Sequence, residues 1–203
     1  DDGKQTRHVE LAFANQAGLS LARLGIIFSE PDHGYISDGH QKLEEGARRL
    51  LREKNGDILV YGEVRKSDQV LWLRFLSRES DAAASPGESY RLTADKLELP
   101  LDFHQGFSSV LVAVVLASIK PATEQVGQYV AHLLREPTEK TRRLLEAPPQ
   151  ALSAGTLATL RLFYGLAAQT LGEQLGTNEW LVRAVDAYRA VLNVWTRERV
   201  PLD

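Results

Sequence analysis

Apolar residues recur along the chain at two different spacings, and the change between them falls near residue 100. In the first half, Val9, Phe13 and Ala17 lie on one helical face, with Thr6 available as a cap. Gly18 closes that pattern, and Leu19 to Phe28 reads as a strand. Pro31, Gly34 and Gly39 among polar neighbours predict a loop over 29–39. Leu43, Ala47, Leu50 and Leu51 return to helical spacing until Asn55-Gly56, a good helix stop. Ile58 to Val64 is a short apolar run of the kind buried on both faces of a sheet. After a Lys66-Ser67-Asp68 turn, Leu71, Leu73 and Phe75 alternate with Trp72 and Arg74, a second strand. The small residues of 81–87 close a hairpin, and Tyr90 to Leu99 forms the returning strand. This order, α-β-α-β-β-β, predicts a small mixed sheet with helices on one face.

From Pro100 onward the spacing is helical throughout. Asp102 can cap a helix through Phe107, Leu111 and Val114 that ends near Lys120. Pro121 suits the first turn of a second helix carrying Val126, Tyr129, Val130 and Leu133. Pro137 is expected to break or kink it before Leu144 and Leu145, and Pro148-Pro149 is a hard stop. Leu160, Tyr164, Ala167, Ala168, Leu171 and Leu175 stripe a third helix. Gly176-Thr177-Asn178 makes a turn, and Ala184, Tyr188, Val191, Leu192 and Trp195 stripe a fourth. Two amphipathic helices joined by a short turn cannot bury both stripes alone and need neighbours, which is the logic of a helical repeat. The expected fold class is α+β: a small mixed α/β sheet domain over residues 1–100, then an all-α region over 101–203. The first strand of the sheet is expected to precede Asp1 and further helices to follow Asp203, so the chain reads as a piece of a larger protein.

Composition narrows the function classes. Of 203 residues, 43% are hydrophobic and 25% charged, which argues for a packed globular chain rather than a disordered one. A net charge of −3 supplies no electrostatic footprint for nucleic acid. The longest apolar run, Val110 to Ala117, is far short of the ~20 residues that span a bilayer. With no cysteine, disulfides, thiolate metal sites and cysteine nucleophiles are excluded. A cysteine-free chain suits cytoplasm or periplasm equally, and a cytoplasmic location is the expectation.

The candidate chemistry is sparse. Asp32, His33, Asp38 and His40 are the densest cluster of possible metal ligands, but they lack a third ligand of defined spacing. Ser37, Asp38 and His40 supply the residue types of a hydrolase triad, yet they are neighbours in one loop, and G-x-S-x-G is missing. Gly62 inside a strand marks a bulge or a close backbone approach rather than a nucleotide site. Arg48, Arg49, Arg52 and Lys54 lie within helical reach of Glu44, Glu45 and Glu53, and Arg135, Lys140, Arg142 and Arg143 have a similar setting. Both groups read as salt-bridged, solvated faces. No catalytic residue, metal or cofactor is nominated.

The last two helices resemble a tetratricopeptide repeat. Tyr164-Gly165 sits where the first helix of that family carries a large residue followed by a small one, and Ala184, Tyr188 and Leu192 resemble the small–aromatic–aliphatic ladder of its second helix. The stretch is longer than the usual ~34-residue repeat, a departure from the pattern. The run Leu192 to Asp203 is similar to linkers between extended repeats in large bacterial repeat proteins. The segments 56–64 and 71–76 resemble the amino-terminal domain of TolB and related bacterial domains that precede helical repeats. These resemblances imply a non-catalytic scaffold or protein-binding module of signalling assemblies. They place Thr159, Leu162, Leu166 and Gln169 on a concave, partner-facing surface. The alternative for Leu162 and Leu166 is packing against the preceding helices. Trp195, with Val200, would cover the next repeat or, if the chain ends there, drive homodimerisation. The competing reading is a small-molecule sensor whose ligand sits at the strand ends around Gly62-Glu63.

Overall fold

A computed structural model describes residues 38–53, 58–65, 70–77, 97–100, 108–118, 130–150 and 152–199. The expected helix over 6–17, the strand over 19–28 and the loop through Asp32 and His33 lie outside the described residues, while Asp38 and Gly39, expected at the end of that loop, instead open a helix. The described part is α+β, with a small sheet followed by a helical C-terminal half.

Helix α1 spans Asp38–Glu53 and strands β1, β2 and β3 span Ile58–Arg65, Val70–Ser77 and Leu97–Pro100. The three described strands form an antiparallel sheet in the order β1-β2-β3. The sequence pattern suggests a mixed sheet; the described pairs are all antiparallel, as a hairpin and its returning strand require. Pairing runs unbroken from Ile58 opposite Ser77 to Arg65 opposite Val70. Within it, a side chain at Gly62 would put its Cβ 1.9 Å from the Trp72 carbonyl oxygen. The glycine therefore marks a close backbone approach, not a bulge.

The pleat sends alternate residues to opposite faces. Leu59 and Leu76 face α1, where Ala47 and Leu51 complete a small cluster. Leu71, Leu73, Leu97 and Leu99 face the other way into the main core. The sheet thus carries described helices on both faces, not one. Ile58 to Val64 reads as a continuous apolar run for this reason.

The helical half comprises α2 (Ser108–Ser118), α3 (Ala131–Glu146), α4 (Ala154–Leu175) and α5 (Asn178–Arg199). Val110 to Ala117 in α2 are all buried, none more than 5% exposed, so the helix is enclosed on every side. Helix α3 continues unbroken through Pro137. The missing proline amide removes the partner of the Leu133 carbonyl. Nearby, the buried Thr138 and Thr141 hydroxyls donate to the carbonyls of Leu134 and Pro137 at 2.7 and 2.8 Å. The α3 N-terminus has no side-chain cap of its own; instead the Ala131 amide donates to Gln174 Oε1 of α4 at 2.9 Å.

Helix α4 is the hub, packing against β3, α2, α3 and α5. Ser153 caps it by accepting from the Thr156 amide at 3.0 Å, and Gly176 ends it at φ +62°, the left-handed conformation that favours glycine. Helix α5 then turns back along α4. A Cβ on Gly165 would lie 2.5 Å from the Tyr188 ring, and one on Gly172 would lie 2.6 Å from Leu181. The two glycines, seven residues apart, let the antiparallel pair close to contact distance.

The edge-to-face pair of Phe75 on β2 and Phe163 on α4, with centroids 5.7 Å apart, joins the sheet to the helices. Buried side chains on either side of residue 100 belong to one cluster.

Candidate functional site

Thr159, Leu162, Leu166 and Gln169 share one face of α4, as the sequence spacing requires. Leu162 is 5% exposed, and Leu166 is half-buried against the main core. The Thr159 hydroxyl donates back to the Gly155 carbonyl at 3.1 Å. The Gln169 amide is occupied at both ends: its Oε1 accepts from the Tyr188 hydroxyl at 2.9 Å and its Nε2 donates to Glu173 at 2.7 Å. Of the four, Leu166 packs into the main core and Gln169 reaches Tyr188 of α5, while the Thr159 hydroxyl bonds within α4 itself. Trp195 lies in α5, but its side chain is outside the described residues, as are those of Asp38, His40 and Glu63.

The charged side chains gather where α3, α4 and α5 meet. A cleft of about 230 Å³ opens there, with Leu145 and Tyr164 in its lining and Arg142, Arg161, Arg183 and Asp186 around them. Glu139 on α3 is the centre of this network. It accepts from Arg142 Nε at 2.8 Å and, across to α5, from Arg183 Nη1 at 2.9 Å. Arg142 also bonds Glu146, and Arg183 bonds Glu179 at 2.6 Å while lying 4.7 Å from the centroid of the buried Trp180 ring. The hydrogen bond from Arg142, with that from Arg183, holds the Glu139 carboxyl below the ordinary glutamate range despite its partial burial. Burial pushes the Tyr164 phenol up, and it pushes that of Tyr188 up to about 12.

This chemistry is that of a clasp. Glu139, Glu146 and Glu179 offset the arginines, leaving Arg161 as the lining cation without an ion pair among the described residues. Each shifted group moves away from neutrality, the carboxylates downward and the phenols upward. Among the described residues no group of three or more acidic and histidine side chains converges on a metal-sized site. No described helix is long and apolar enough to cross a membrane.

The other unusual surface is the outer face of α5. The helix buries Trp180, Ala184, Ala187 and Val191 on one side. On the other side Val182 is 58% exposed, Val185 45% and Leu192 60%. These three lie at i, i+3 and i+10, with Arg189 at i+7, so they share a single stripe. Of the stripe read from the sequence, the structure buries Ala184 and Val191 and half-buries Tyr188 but leaves Leu192 on this outer face. Sequence reasoning misses Val182 and Val185, although the 3-4 spacing of 182, 185, 189 and 192 is there to be read.

No protein-family model, curated protein or solved structure matches the chain.

Proposed function

We propose that the chain is a non-catalytic protein-interaction module, a scaffold element of a larger bacterial protein in which the helical half works as a tetratricopeptide-like stack. One observation carries this reading. Helix α5 has two apolar faces, of which one is buried on α4 and the other, Val182, Val185 and Leu192, is presented to solvent. Three apolar side chains about half exposed on one stripe forgo burial worth roughly 1 kcal/mol each and suit the groove-and-helix contacts of protein partners. The concave surface expected from Thr159, Leu162, Leu166 and Gln169 contributes less, since Leu162 is buried and both ends of the Gln169 amide are occupied. The partner therefore docks on α5, where Trp195 extends the same helix and a second copy of the chain is one candidate occupant.

The test is affinity capture from the source cell with the full chain and its Val182→Asp and Leu192→Asp variants. Both sites are exposed, so the variants keep the fold, which circular dichroism checks. The expected result is a protein retained by the wild type and lost by both variants. Retention by all three, or capture of nothing by the wild type, contradicts the proposal.

A further inference from the structure

We infer that the outer face of α5 pairs with the same face of a second copy of the chain, antiparallel about a two-fold axis level with Ala187. This rests on the reading of that face as a protein-docking surface and names its occupant.

The stripe is complementary to itself. Residues 182, 185, 189 and 192 are spaced 3, 4 and 3 apart, a pattern symmetrical about position 187. Laid antiparallel on its own copy, Val182 falls opposite the partner's Leu192, and Val185 falls opposite the partner's Arg189. The two most exposed apolar side chains of the stripe, at 58% and 60%, then cover each other twice. Isologous pairing of this kind uses one patch for both partners.

The polar residues agree with that register. Arg189 stands within the apolar stripe, its guanidinium in a loose 3.7 Å pair with Asp186 one turn back, the two side chains 74% and 67% exposed. In the paired state the methylene stem of Arg189 lies over the partner's Val185, and its head group reaches the partner's Asp186 at the edge. The axis makes two such charge pairs. A partner with a plain apolar stripe would leave Arg189 only the loose pair within its own helix, whereas a second copy adds a carboxylate at the required level. From Val182 to Leu192 the stripe is about 15 Å long and ~10 Å across. That is smaller than the ~800 Å² per partner of a stable complex, so the pairing depends on concentration.

The test is sedimentation equilibrium of the 203-residue chain over a wide concentration range. The expected result is a monomer–dimer equilibrium that Val182→Asp shifts to monomer. Asp186→Arg alone and Arg189→Asp alone each weaken it by about tenfold, through like charges meeting at the axis. The double swap D186R/R189D restores it, because the opposed pairs are re-formed with reversed sign. A chain that stays monomeric throughout overturns the inference, as does a dimer that these substitutions leave unchanged. If the wild type is monomeric but Val182→Asp still abolishes capture of a different protein, the dimer is wrong and the docking face stands.

Discussion

Glu139 shows how one residue can join two helices. It sits on α3, takes a hydrogen bond from Arg142 on its own helix and another from Arg183 on α5, and so ties the two across Tyr164 of α4. Its side chain is 29% exposed, which places it between a surface pair and a buried one. Replacing it with glutamine is expected to cost roughly 1 kcal/mol, measured by urea unfolding. The acid limb carries a clearer sign. The folded carboxyl titrates below its ordinary value of 4.5, so its contribution is complete above that pH and is lost as pH falls through the depressed value. The midpoint of thermal unfolding should therefore fall less steeply below pH 4.5 in Glu139→Gln than in the wild type. On the alkaline side, burial raises the Tyr188 phenol to about 12, so its contribution is whole below pH 10 and lost as pH rises toward 12. Tyr188→Phe should flatten that limb.

Among the elements, α4 and α5 depend on glycine where they touch and not where they do not. Gly165→Val would drive its side chain into the Tyr188 ring and should cost about 2 kcal/mol or more in chemical denaturation. Gly46 in α1 has open space within 4 Å of where a Cβ would stand, so Gly46→Ala should gain up to about 1 kcal/mol from helix propensity alone. The Gln174 side chain that caps α3 is expected to be worth about 1 kcal/mol, tested by Gln174→Leu. Much of this level was legible in the sequence. The helix from Leu43 to Glu53, the hairpin 58–77 and the last two helices follow directly from period and punctuation, because an apolar stripe, an Asn-Gly stop and a Gly-Thr-Asn turn are local signals, but the helix start at Asp38, within the expected loop, does not. The passage of α3 through Pro137 was not legible. It depends on the packing that buries Pro137, Thr138 and Thr141 together, and that packing is tertiary. The cap from Gln174 bridges 43 residues and leaves no local trace.

For the whole molecule, the sheet and the helices share their apolar interior. Leu71, Leu73, Leu97 and Leu99 pack into the same cluster as α2 and α4, and Phe75 meets Phe163 edge to face. A chain cut after Pro100 would leave that sheet face bare, and it is expected to bind hydrophobic dyes and aggregate rather than unfold cooperatively. The candidate site was less legible than the fold. The sequence offered both α4, through Thr159, Leu162, Leu166 and Gln169, and Trp195 of α5 as partner-facing, whereas the exposed apolar stripe is Val182, Val185 and Leu192 of α5, because which face of a helix is left uncovered depends on where the remaining elements pack. Val182, Val185 and Leu192 were visible as letters, but their exposure was not. The central claim, that this outer face is where a protein partner sits, is tested most directly by photo-crosslinking in the source cell. A photoreactive residue is placed at Val185, with one at the exposed Arg143 on α3 as the reference. A discrete higher-mass adduct is predicted from position 185 and none from position 143; equal labelling at both, or no adduct at 185, would contradict the claim.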